Sequence, residues 1–160
     1  MSEDNGDMFA LSPQFGDVSE SGLLDENSLD IKFREAREKW KDRVEFLTNE
    51  FRDVHKLAEV QSLSINDRQV LLEHKHYLWN VLAKVQKEYK HKKAKNWMVN
   101  PGVGKVTDRN VYVDAQLADI QEKISNVEAQ IEYYHETIRT MDHIIYGVKQ
   151  RIGLEDYKRE

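Results

Sequence analysis

The feature that most constrains this chain is an apolar series in its last third: Val113, Leu117, Ile120, Ile124, Val127, Ile131, Tyr134, Ile138, Met141, Ile145, Val148 and Ile152. Its steps alternate four and three without interruption. A period of 3.5 puts every member on one seam of an α-helix, the pattern of coiled-coil packing; a strand would need a period of two. The spacing predicts one helix over 108–157, about 70 Å long. Such a seam must be covered by other helices. The predicted fold class is therefore all-α: an elongated antiparallel helical bundle with a long C-terminal coiled-coil-like helix. Isoleucine at both seam positions favours more than two strands in parallel coiled coils. Part of the seam is accordingly expected to join copies of the chain in a homo-oligomer.

Two more helices are predicted upstream. The first runs over 28–61, with Ser28 as N-cap and Asp30 in its first turn. Its stripe is Phe33, Ala36, Trp40, Val44, Leu47, Phe51, Val54 and Ala58. The polar stretch 61–67 offers Ser62, Ser64 and Asn66 as caps and is expected to turn. The second helix follows over 66–98 on Leu71, His74, Leu78, Val81, Leu82 and Val85. Asn100-Pro101-Gly102 ends it, because proline cannot continue the hydrogen-bond ladder. Thr107 is expected to cap the third helix, with Asp108 in its first turn. Gly147 within that helix is expected to admit a close neighbour.

Composition excludes several classes. The chain has no cysteine, so neither disulfides nor thiolate metal sites arise, and a reducing cytoplasm is expected. The first ten residues are acidic and lack the basic start and apolar core of a secretory signal. Apolar runs are too short to span a membrane. Residues 1–27 mix Ser, Gly, Asp and Glu with isolated apolar residues. They are expected to form a disordered acidic leader, with Phe9 and Phe15 as candidates for a docking motif.

Charge is unevenly distributed. The first thirty residues hold eight acids and no Lys or Arg, so the remainder carries +3 within a net −5. Residues 84–109 hold eight cations, Lys84, Lys87, Lys90, Lys92, Lys93, Lys95, Lys105 and Arg109, against Glu88 and Asp108. Tyr89 and Trp97 are interleaved with them. Single-stranded nucleic acid is bound by this mixture, cations neutralising phosphates and aromatic faces stacking on bases. These ten residues are the candidate DNA-binding set. The competing reading is a solvated helix end whose cations complement the helix dipole.

Other motifs carry less. Pro101-Gly102-Val103-Gly104-Lys105-Val106-Thr107 lacks the first glycine of a phosphate loop (Val99 stands there) and the hydroxyl residue after the lysine. His74 and His76 are two apart and point to different sides of a helix, and His91 brings no partner at ligand spacing. No nucleophile with a base stands out, and a thin bundle leaves little room for a pocket. No catalytic residue, metal or cofactor is expected.

In the order of its features the chain resembles the UvsY-type recombination mediators of T-even-type bacteriophages. The similarity rests on Val111-Tyr112-Val113-Asp114-Ala115, Ile131-Glu132-Tyr133-Tyr134, Tyr146-Gly147-Val148-Lys149 and the helix ending in Lys87-Glu88-Tyr89-Lys90 before a basic loop, and it covers 28–157. Where the family has a double tyrosine followed by Gly and Lys, this chain has Tyr89 followed by Lys90-His91-Lys92-Lys93. The resemblance implies a non-enzymatic, ring-forming helical protein of the host-cell cytoplasm. Such a protein binds single-stranded DNA, loosens a phage single-strand-binding protein, and helps load a phage recombinase. The alternative is a non-enzymatic coiled-coil structural or interaction protein with no DNA binding. In a third arrangement the acidic leader folds over the basic segment and limits access to it.

Overall fold

The computed structural model describes residues 26–99 and 104–157. The expected leader and Asn100-Pro101-Gly102 lie outside them. The described residues form four α-helices, α1 (Glu26–Glu50), α2 (Leu57–Val99), α3 (Val106–Gln116) and α4 (Ala118–Tyr157), with a short 3-10 turn at Val54–Lys56. No strand occurs among them. The fold is an all-α bundle with a long C-terminal helix. It packs as two compact units whose boundaries fall between Val70 and Leu71 in α2 and between Asp142 and His143 in α4.

In the first unit Phe33, Trp40 and Leu47, spaced by sevens on α1, are buried together with Leu57, Val60 and Val148. Helix α1 starts at Glu26, so Ser28 lies inside it rather than capping it. The chain breaks at 51–56, not at 61–67. Phe51, Arg52 and Asp53 close turns onto Leu47, Asn49 and Glu50, and the Asp53 carboxylate accepts from the His55 amide at 2.9 Å. That bond satisfies a donor which a continuous helix would have served, the ordinary action of an N-cap aspartate. The turn rotates the stripe. Ala58 is exposed, and Leu57 and Val60 take the inner positions.

The polar stretch 61–67 is helical throughout, within α2. Ser64 is small enough to be fully buried, and Asp67 forms a 2.6 Å ion pair with Arg43 of α1. Arg151 of α4 donates to the carbonyls of Phe51 at 2.5 Å and Arg52 at 3.0 Å. Those carbonyls sit just past a helix end, where acceptors lack intrahelical donors. The guanidinium also lies 5.5 Å from the Phe51 ring centroid. Gly147 fits the expected close approach: a Cβ there would meet the Phe51 ring at 3.3 Å.

In the second unit Leu71, Leu78 and Leu82 of α2 are buried with Val113, Leu117, Val127, Ile131, Tyr134, Ile138 and Met141. Eight seam members, Val113, Leu117, Val127, Ile131, Tyr134, Ile138, Met141 and Val148, are buried, while Ile120, Ile124, Ile145 and Ile152 are half-buried. Its buried members are occupied by packing within the chain. The expected single helix over 108–157 is two. Leu117 adopts φ −111° and ψ 12°, and its amide bonds to the Asp114 carbonyl at 3.1 Å. The seam runs through this break: Val113 before it and Leu117 at it are buried, and Ile120 after it is half-buried. Helix α3 begins after Lys105, whose extended backbone makes it the N-cap, so Thr107 lies within the first turn. Gly104 precedes it at φ +36°, and a Cβ there would stand 3.0 Å from the Asp108 carboxylate.

Candidate nucleic-acid interface

The ten candidate residues all fall in the second unit, on the last four turns of α2 and the first part of α3. The structure sorts them into two groups. Tyr89, Lys93, Trp97 and Arg109 face inward and staple α2 to α3. The Asp114 carboxylate accepts from Lys93 Nζ at 2.6 Å and from the Tyr89 hydroxyl at 3.0 Å, through the same oxygen. Lys93 also stands 5.6 Å from the Tyr89 ring centroid. The hydrogen bond from Lys93 holds the Asp114 carboxyl below its ordinary range, and the bond to Asp114 raises the Lys93 ammonium. Asn96 donates to Gln116 at 3.2 Å alongside. One turn on, the Arg109 guanidinium lies over the face of Trp97, 4.1 Å from its centroid. A cation held against an indole face is attracted by the ring quadrupole.

The second group points to solvent. Lys84, Lys87, Lys90, Lys92, Lys95 and Lys105 are all exposed. On α2 the order Lys84, Lys87, His91, Lys95 advances by three and four residues, so these side chains form one ridge opposite the face that buries Leu78 and Leu82. Lys90 and Lys92 flank it. Lys92 pairs with Glu88 at 2.7 Å. Among the described residues Lys84, Lys87, Lys90, Lys95 and Lys105 make no ion pair. Helix turns separate successive ridge members by about 5–6 Å. The arrangement is a line of exposed cations at the spacing of helix turns, with its one acid, Glu88, paired to Lys92.

The sequence pattern brings the cations together but does not place the aromatics. Tyr89 and Trp97 are half-buried, one tied by its hydroxyl and the other covered on a face by Arg109. Asp114, which organises this end, was not a candidate. Its signal was its place one residue after Val113 on the seam, at the edge of the apolar stripe. The histidines are apart in role: His74 is half-buried beside Tyr134, with ring centroids 5.9 Å apart, while His76 and His91 are exposed. Among the described residues no group of three His, Asp or Glu side chains is arranged to hold a metal ion, and no helix is long and apolar enough to cross a membrane.

No family model, curated protein or solved structure matches this chain.

Proposed function

We propose that this protein is a non-enzymatic recombination mediator that binds single-stranded DNA and helps load a recombinase onto DNA covered by a single-strand-binding protein. The observation that carries the DNA-binding part is the outward ridge of α2, where Lys84, Lys87, Lys90 and Lys95 are exposed and without acidic partners among the described residues. Lys92 and Lys105 extend it. The mediator role, the recombinase and the single-strand-binding protein rest on the resemblance to the UvsY-type family, as does the setting in the host-cell cytoplasm.

Counterion release gives the test. Six exposed lysines neutralising six phosphates predict that log affinity falls with log salt at a slope near −4, at about −0.7 per contact on single strands. Replacing Lys87, Lys90 and Lys95 together by Ala should flatten that slope by about two. Anisotropy of a labelled oligothymidylate, titrated at several salt concentrations, measures both. An affinity indifferent to salt sinks the proposal. The loading role is read from recombinase activity on single strands precoated with the binding protein, with and without this chain.

A second reading is favoured by a different observation. Met98, Val99, Val106, Val111 and Tyr112, at the end of α2 and on α3, are exposed apolar side chains. They suit contact with a protein, either another copy or a partner. A protein that assembles through them but leaves the oligonucleotide unbound is a structural or interaction module instead.

A further inference from the structure

The ridge accounts for phosphates, yet Tyr89 and Trp97, the two aromatics in the basic segment, are both engaged in holding α3. A different aromatic stands free on the same helix. Trp79 is 52% exposed although large apolar side chains on this helix, Leu71, Leu78 and Leu82, are buried. Eighteen residues separate it from Trp97, which is five whole turns of an α-helix, so the two indoles lie on one line about 27 Å apart. On that line between them lie Gln86, half-buried, and Lys90, exposed, with the exposed Ala83 and Ala94 to one side. Two alanines keep the strip low, and Lys87 and Lys90 border it with charge. From His74 to Val99 the helix carries seven lysines and a single acid, Glu88, which Lys92 holds.

An exposed indole would also suit a protein contact. Here the strip favours a polyanion: an apolar partner face laid along it from Trp79 would bury Lys87 and Lys90, two and three turns on, and desolvating unpaired charges is costly. A base stacked on the indole leaves those ammoniums in water beside its own phosphates. Building on the DNA-binding reading above, we propose that Trp79 is the base-stacking residue of this site, at the far end of the strip from Trp97, with single-stranded nucleic acid running between them.

The experiment uses the full chain and a labelled oligothymidylate. Trp79→Ala should bind about five- to a hundredfold more weakly at fixed salt, the effect of losing one base–aromatic stack. The salt slope should stay unchanged, because no phosphate contact is removed. Trp79→Phe should recover most of the affinity. Sedimentation velocity of each variant without DNA reports assembly, and circular dichroism reports helix content. Undiminished affinity of Trp79→Ala overturns the assignment while the salt slope of the unaltered protein still supports DNA binding. A weakened variant that has also dissociated places Trp79 between copies and overturns it as well. If the unaltered protein binds no oligonucleotide, both proposals fall.

Discussion

Asp67 offers the sharpest test of how the first unit is held. Its carboxylate accepts from Arg43 Nε at 2.6 Å, and the two side chains are 7% and 14% exposed. At an effective dielectric of about 20 the attraction at this distance is roughly 6 kcal/mol. Desolvation of both groups cancels most of it, so the pair adds little net stability over an apolar pair of the same shape. Breaking it is another matter. Asp67→Ala leaves a guanidinium in a site that admits little water, a loss of about 3–5 kcal/mol where the remaining charge is fully enclosed. Arg43 is less enclosed, and it also lies 5.3 Å from the Phe46 ring centroid. About 2–3 kcal/mol is therefore expected. Replacing both partners by apolar residues (Arg43→Met with Asp67→Leu) should return to within about 1 kcal/mol of the native chain. Urea unfolding followed at the helical circular dichroism band measures all three. Asp67→Ala within about 0.5 kcal/mol of native, the range of an ordinary surface substitution, would refute the reasoning. So would a double variant as unstable as the single one. The first of these outcomes is also what a solvent-facing turn over 61–67 would give.

Two further outcomes follow from single side chains. Arg151→Met keeps the stem but removes the donors to the Phe51 and Arg52 carbonyls, and should cost about 1–2 kcal/mol in the same unfolding assay, the lower part of the range for charged hydrogen bonds because the site is half exposed. His74 is held below its ordinary value of 6.5 chiefly by burial, and Glu73 opposes the shift weakly. Its Nδ1 is buried without a hydrogen-bond partner among the described residues. Because the folded value is depressed, the unfolded chain binds the proton more readily, and stability rises with pH across the interval. Stability should therefore be complete above about pH 6.5 and decline below it. In His74→Phe this part of the decline should vanish, and a full decline in that variant would show that other groups cause it.

What could be read in advance follows the range of the forces involved. The seam from Val113 to Ile152 and the sevenfold spacing of Phe33, Trp40 and Leu47 were legible because a helix's inner face repeats locally. The break at 51–56 was not. No glycine or proline marks it, and its cause is one carboxylate, Asp53, reaching the amide of His55. Ser62, Ser64 and Asn66 look like caps, and they would serve as caps in isolation. Asp67 keeps that stretch helical by pairing with a residue 24 positions upstream, which no local pattern reveals. The bend at Leu117 likewise has no marker, and lies where side chains of α2 tether α3. In the site the charge of each candidate was plain, but its direction was not. Helix α2 presents lysines on most of its circumference here, and only the position of α3 decides which of them turn inward.

Asp114 holds the inward pair, Tyr89 and Lys93. Without it, Lys93 would join the outward cations and the Tyr89 hydroxyl would lose its acceptor. With it, one acid consumes one lysine and one aromatic to fix α3 on α2. That bridge is partly exposed, so its own contribution is small, about 0.2–1 kcal/mol. Helix geometry, with Leu71, Leu78 and Leu82 buried on the inner face, puts Lys84, Lys87 and Lys95 on the opposite side. A helix that must be packed on one face and charged on the other needs a marker for where one face ends. Asp114 and the Arg109–Trp97 contact mark it on the α3 side. On the other side of α2, Trp79, Ala83 and Lys90 are exposed, as is the lysine ridge beside them.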